Sequence, residues 1–328
     1  MPVNGQTSHM AIINCQLSIA TCLTFCKSTK KVLFCHEKAV TLHVKPIKRA
    51  MMIRFMAIVL CVLYGALSHA QDTSKAYKNE VAGSYNFWFY RPSDEVEAEK
   101  LSKKGVPEGY PEEHRPLLIF LHGASLCGHD LQKVKRYGPI EALKRGRIID
   151  CYILAPQNPG GSWQPSKVMK LVEWAEQHFN VDSNRIYCIG MSLGGYGTMD
   201  FCATYPDRVA AGMALCGGAT VKDVTGLARM PMWIVHGTAD RAVPVSASDK
   251  VVEAVRKTGD DSRLIYTRMP GIDHGRPARI FYLPQTYDWL FSHSLEDEGR
   301  PVNRDFEITP QILQSAYKDI GKYPEYDD

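Results

Sequence analysis

Along most of the chain, short continuous apolar runs alternate with longer stretches in which apolar residues return every three or four positions. The runs at 117–121, 151–154, 186–189, 211–215, 231–235 and 264–267 are aliphatic, β-branched or aromatic, and read as strands buried on both faces. Between them, 131–143, 166–179, 193–205, 246–257 and 278–292 carry the helical period. In 166–179, for example, Val168, Leu171, Val172, Ala175 and Phe179 share one face. The stretch 84–90 instead alternates aromatic and polar residues, as an early antiparallel strand would. Strand following helix in this order, with no internal repeat, predicts an α/β protein: a mostly parallel central sheet flanked by helices on both faces. Residues 92–113, polar and charged with Pro107, Gly109 and Pro111, read as a loop. Residues 295–328 are polar apart from a short helical pattern near 308–317, and read as a C-terminal tail packed on the domain.

The first seventy residues break this pattern. Residues 1–50 hold four of the ten cysteines and no sustained period, so they are expected to be an upstream misread or a disordered leader. Met51-Met52-Ile53-Arg54, the apolar run 55–67 and Ser68-His69-Ala70 have the anatomy of a signal peptide over 51–70, with cleavage after Ala70. The apolar run is too short to span a bilayer, and Cys61 follows Val59-Leu60 without the small residue that precedes a lipoprotein cysteine. The expected product is secreted or periplasmic, starts its catalytic domain at 71–294, and keeps no stable membrane span. Charge supports the division. The whole chain carries +4, but its first seventy residues hold eight of the 39 Lys and Arg and one of the 35 acids, so the rest is near −3. That balance gives no argument for a nucleic-acid partner. Five cysteines remain, Cys127, Cys151, Cys188, Cys202 and Cys216, without metal-ligand spacing. They read as buried thiols acting as small hydrophobes, with one disulfide plus a free thiol as the alternative.

Chemistry concentrates where the apolar run 186–189 meets Gly190-Met191-Ser192-Leu193-Gly194 and then a helix. A strand turning into a helix through G-x-S-x-G is a nucleophile elbow. Its serine sits in a strained backbone conformation, and side chains at the two flanking positions would strike the neighbouring strand and helix, so both are glycine. The helix start supplies the backbone N–H of Leu193 where an oxyanion would form. Two partners follow at later strand ends. Asp240 lies in His236-Gly237-Thr238-Ala239-Asp240 after the 231–235 strand, and His274 in Gly271-Ile272-Asp273-His274-Gly275 after the 264–267 strand. Serine is a weak nucleophile, so His274 accepts its proton and later delivers it to the leaving group, while Asp240 fixes the imidazole tautomer and stabilises its cation. His122 and His236 each open a His-Gly turn and read as loop-shaping residues. The second oxyanion donor is expected in His122-Gly123-Ala124-Ser125, from the N–H of Ala124 or, failing that, Ser125, with the Ser125 side chain near substrate. Trp163, in Pro159-Gly160-Gly161-Ser162-Trp163, either walls the substrate site or anchors its loop on the core. No large insertion separates the 211–215 strand from Asp240, which leaves no bulky lid and an open cleft suited to bulky or polymer-attached esters.

The set HGASLCG, APQNPGGSW, GMSLGGYGTMDFCATYPDRVAAGMALCGG, HGTAD and GIDHG, spread over 117–290, resembles the α/β-hydrolase superfamily. Within it, the chain is similar to secreted carboxylesterases of the dienelactone-hydrolase, prolyl-oligopeptidase and feruloyl-esterase-like group. The resemblance implies ester hydrolysis through an acyl-serine without a cofactor or metal. It also implies Ser192, Asp240 and His274 as the triad, Ala124 and Leu193 as the oxyanion hole, and feruloyl or acetyl esters on polysaccharide as substrates. One loop departs from that group, since Ser125-Leu126-Cys127 stand where relatives often carry Gly-Glu-Arg. Two other readings stay open. A prolyl-oligopeptidase-type serine peptidase would ordinarily add a gating domain, for which the roughly forty residues between Ala76 and Pro116 are too few. A silent binding protein on a hydrolase scaffold would ordinarily have lost one member of the triad.

Overall fold

The computed structural model describes residues 73–92 and 114–320. The signal peptide at 51–70, the leader at 1–50 and most of the loop at 92–113 lie outside the described residues. Eight strands form one sheet: β1 (Lys75–Tyr77), β2 (Asn86–Tyr90), β3 (Arg115–Leu121), β4 (Tyr152–Gln157), β5 (Val181–Met191), β6 (Ala211–Leu215), β7 (Met232–Gly237) and β8 (Leu264–Met269). Their order is β1-β2-β4-β3-β5-β6-β7-β8. β1 and β2 run antiparallel to their neighbours, and every pairing from β4 to β8 is parallel. The stretch at 84–90 is thus β2, antiparallel both to β1 at the sheet edge and to β4, with Phe87 to Tyr90 all buried. β1 carries too few residues to show a period in sequence.

The parallel strands bury both faces, and the two-residue period of the strand divides them between two cores. In β3, Leu117, Ile119 and Leu121 join one cluster, under α2 (Pro165–His178), α3 (Leu193–Thr204) and α4 (Ser246–Arg256). Leu118 and Phe120 join the other, under α1 (Pro139–Lys144) and α5 (Pro284–Phe291). All five residues are fully buried, so neither face of the sheet is left to solvent here.

Two expected helices are broken, each for a local reason. The stretch 131–143 is a 3₁₀ turn, Leu131–Arg136, followed by α1. Between them Gly138 has φ 96°, and a Cβ there would stand 2.4 Å from Cζ of Phe120. The ring of β3 presses on the backbone at that point, and only glycine turns the chain past it. The stretch 278–292 divides into the 3₁₀ turn Arg276–Tyr282 and α5, because Pro284 holds Leu283 in an extended conformation (ψ 130°) and restarts the helix as its first residue. The tail packs closely: Ile308, Leu313 and Ala316 are buried in the second core, a last helix α6 spans Pro310–Ser315, and Arg147 pairs with Asp319 at 2.8 Å.

The chain steps from β3 outward to β4, then returns to place β5 on the other side of β3. The loops leaving β3 and β5 therefore diverge from adjacent strand ends, which opens a crevice at the carboxyl edge between them.

Candidate active site

β5 ends at that crevice, and Ser192 follows with φ 58° and ψ −122°, a conformation that non-glycine residues avoid. Its N–H donates to the Leu215 carbonyl at the end of β6 (2.8 Å), and its own carbonyl accepts from Tyr196 N–H (3.0 Å), so strand and helix hold the turn from both sides. The flanking glycines have no alternative. A Cβ on Gly190 would lie 2.4 Å from the Gly194 carbonyl oxygen, and one on Gly194 would lie 1.8 Å from that of Leu121. Ser192 is half-buried at the head of α3, where the N–H of Leu193, the first helical residue, has no acceptor in the preceding turn.

Asp240 and His274 are brought together. Backbone bonds from Thr238 N to Met269 O (2.9 Å) and from Ala239 N to Ile272 O (3.0 Å) tie the loop after β7 to the loop after β8. His274 Nδ1 then lies 2.6 Å from Asp240 Oδ2, with the carboxylate fully buried and the imidazole about a quarter exposed. Oδ1 of Asp240 accepts the N–H groups of Ala242 (2.9 Å) and Val243 (2.8 Å). Burial works to raise the Asp240 pKa, but the His274 bond and the two amides outweigh it and hold the carboxyl below its ordinary value. An imidazole bonded through Nδ1 to a carboxylate has Nε2 as its remaining proton acceptor. Ser192 stands at the same carboxyl edge, and Tyr196, one turn further along α3, feels the Asp240 charge: burial first, then the Asp200 and Asp240 carboxylates, raise its phenol pKa. Asp273 takes no part in this pair, because its Oδ1 caps the turn through Gly275 N and Arg276 N (both 3.1 Å).

The loop after β3 packs on the same serine. A Cβ on Gly123 would lie 3.4 Å from Ser192 Cβ and 2.9 Å from the Tyr137 hydroxyl. Gly123 is clamped on both peptides. Its N–H donates to Tyr137 Oη (2.6 Å), and its carbonyl accepts from His122 Nδ1 (2.7 Å), whose Nε2 accepts the Asn158 N–H (3.0 Å). In a trans peptide the Ala124 N–H points opposite to the Gly123 carbonyl, so His122 fixes the direction of the expected donor. Burial lowers the His122 pKa to about 4 and pushes the Tyr137 phenol up to about 12, so both hold these bonds in their neutral forms around pH 7. His122 is a loop-shaping residue in this geometry. Ala124 and Ser125 begin a 3₁₀ turn and are exposed, beside the crevice. Tyr137 was missed in sequence, since an isolated tyrosine inside a helical pattern carries no signal of a contact made through a fold.

Trp163 corrects the expectation of a substrate wall. It is 2% exposed, its Nε1–H donates to the His122 carbonyl (3.2 Å), and its ring meets Tyr85 and His122 edge-on. It anchors its loop on the core because α3 approaches so closely that a Cβ on Gly197 would lie 2.6 Å from the indole. The five described cysteines are free thiols, with Cys151, Cys188, Cys202 and Cys216 buried. Among the described residues, Cys216, His236 and Asp240 bring possible metal-ligand atoms within 4.8 Å of one another. Each is otherwise occupied: Asp240 and His236 by hydrogen bonds, and Cys216 by its own proton, since burial and then the nearby Asp240 charge push its pKa to about 12.

No family model matches the chain. Over 77 residues it is 37% identical to the probable acetylxylan esterase A of Aspergillus flavus, and over 60 residues 37% identical to acetylxylan esterase A of Emericella nidulans. These stretches cover 24% and 18% of this chain and 25% and 19% of those proteins, so the chain matches a quarter or less of their length. In structure it is similar to a thermostable esterase, with 26% identity and a TM-score of 0.53 over 68% of this chain and 64% of that one. This is an α/β-hydrolase fold. The chain resembles the esterases of the α/β-hydrolases, and its elbow, strand-end acid and strand-end histidine stand in the chain order that the fold uses for a triad.

Proposed function

We propose that the protein is an exported serine esterase, with Ser192 as nucleophile, His274 as base and Asp240 as the acid that orients it. The reading rests on one observation above the others: a buried carboxylate at the end of β7 lies 2.6 Å from the imidazole of the β8 loop, at the sheet edge where Ser192 stands in a strained turn. In the reaction, Ser192 Oγ attacks the ester carbonyl as its proton passes to His274 Nε2. The resulting oxyanion takes hydrogen bonds from the N–H groups of Leu193 and Ala124. His274 returns the proton to the departing alcohol, leaving an acyl-serine that water, deprotonated by the same imidazole, hydrolyses. The identity to acetylxylan esterases and the short connection from β6 to Asp240 support small or polysaccharide-linked acetyl or feruloyl esters as substrates, with Ser125 beside them. Export rests on the 51–70 segment, and no helix among the described residues is long and apolar enough to cross a membrane.

The test is a substrate panel on the purified protein: p-nitrophenyl acetate, methyl ferulate, acetylated xylan and a proline-containing peptide amide. The expected result is turnover of esters and not of the amide, lost in Ser192→Ala. Well-folded protein that turns over none of them would favour a binding function, and amide cleavage would favour a peptidase.

A further inference from the structure

Behind the triad acid lies a second imidazole to which the reaction above gives no task. His236, the penultimate residue of β7, is fully buried, and both its ring nitrogens are engaged. Nδ1 lies 2.7 Å from Ser248 Oγ, and Nε2 lies 2.9 Å from the Val243 carbonyl oxygen. Nε2 is also 3.3 Å from Asp240 Oδ2, the oxygen that receives His274. A carbonyl oxygen only accepts, so Nε2 carries a proton. Burial, the largest influence on His236, lowers its pKa despite the opposing Val243 and Asp240 contacts. Ser248 donates its single hydroxyl proton to the Gly217 carbonyl (2.8 Å) and presents its oxygen to Nδ1.

We infer that His236 is a positioning residue for the triad, an imidazole that Ser248 and Val243 hold in place so that its Nε2–H also faces Asp240 Oδ2. The inference rests on the proposed triad. Its consequence is geometric and electrostatic. Oδ1 of Asp240 is pinned by two amides and Oδ2 lies between two rings, so the carboxylate cannot rotate away from His274. Val243 closes the device, donating its N–H to Asp240 and accepting from His236 through its carbonyl. Sharing Oδ2 with a second donor also withdraws negative charge from its bond to His274.

The titratable and charged groups around the pair are His236 from β7, Cys216 from the loop after β6, Tyr196 from α3, and Asp273 and Arg276 from the His274 loop. Substitution at 236 leaves the others in place. In His236→Leu, kcat should fall by about tenfold or more with KM nearly constant. The acid limb of the pH profile should move to higher pH, because Oδ2 without its second donor better stabilises the His274 cation. His236→Gln, whose amide can donate from near the Nε2 position, should recover most of kcat and return the limb. Nitrogen-15 NMR of the parent protein reads the tautomer directly and covers the case in which the leucine variant does not fold. A His236 that carries no proton on Nε2 overturns the inference. So does a folded His236→Leu protein whose acid limb is unmoved, with kcat falling only as far as its folded fraction does. Absence of Ser192-dependent ester turnover in the parent is a different result, which removes the proposed function while the NMR measurement still decides the tautomer.

Discussion

Replacing Ser192 by glycine should make the protein more stable while abolishing ester turnover. The perturbation acts on a single feature, the backbone at φ 58° and ψ −122°. A non-glycine residue held there costs on the order of 1–3 kcal/mol, which glycine escapes because it has no Cβ. Glycine also loses more chain entropy on folding, about 0.5–1 kcal/mol, so the net gain centres on about 1 kcal/mol. For a domain of this size that raises the melting temperature by about 2–4 °C. Ser192→Ala keeps the Cβ and so keeps the strain, while losing the same hydroxyl. The measurement is calorimetric melting of parent, Ser192→Ala and Ser192→Gly side by side, with ester turnover as the control that both variants are inactive. Equal melting points for the alanine and glycine variants would refute the reasoning, because the elbow would then store no strain specific to a side chain.

Asp240→Asn keeps the shape but removes the charge that fixes the His274 tautomer, and should lower kcat by about 10⁴. It should also alter acid stability. A carboxyl whose folded pKa is depressed contributes stability that is full above its ordinary pKa and lost as pH falls through the folded one, so the asparagine variant should show a flatter decline in denaturant midpoint on acidification. Tyr137→Phe leaves the Gly123 N–H without its acceptor and should reduce kcat by about tenfold with KM little changed, since the loop that aims Ala124 loosens; an unchanged kcat counts against that role. Arg300 donates to the carbonyls of Pro206 (2.7 Å), Val209 and Ala210 (3.1 Å), pinning the segment after α5 to the approach of β6. Arg300→Met should cost about 2–3 kcal/mol in a urea titration and leave turnover per folded molecule intact.

The sequence by itself determined the alternation of strand and helix, because continuous apolar runs and the helical period are local properties of burial. It also made the elbow legible, because Gly190 and Gly194 meet each other across the turn, although Gly194 is held to glycine just as tightly by the Leu121 carbonyl at the end of β3. Asp240 and His274 were legible as strand-end residues, but their 2.6 Å approach is set by the zipper between the β7 and β8 loops. Tertiary structure alone decided the rest. Trp163 was ambiguous until the closeness of α3 at Gly197 showed that its ring is core. The helices expected over 131–143 and 278–292 gave way to a phenyl ring from another strand and to a proline whose effect on the preceding residue outweighed the period. The contacts of Tyr137 with Gly123 and of His236 with Asp240 were invisible for one physical reason. A side chain that works by holding another group in place is defined by where that group lies, and 14 residues of chain separate Tyr137 from the amide it accepts.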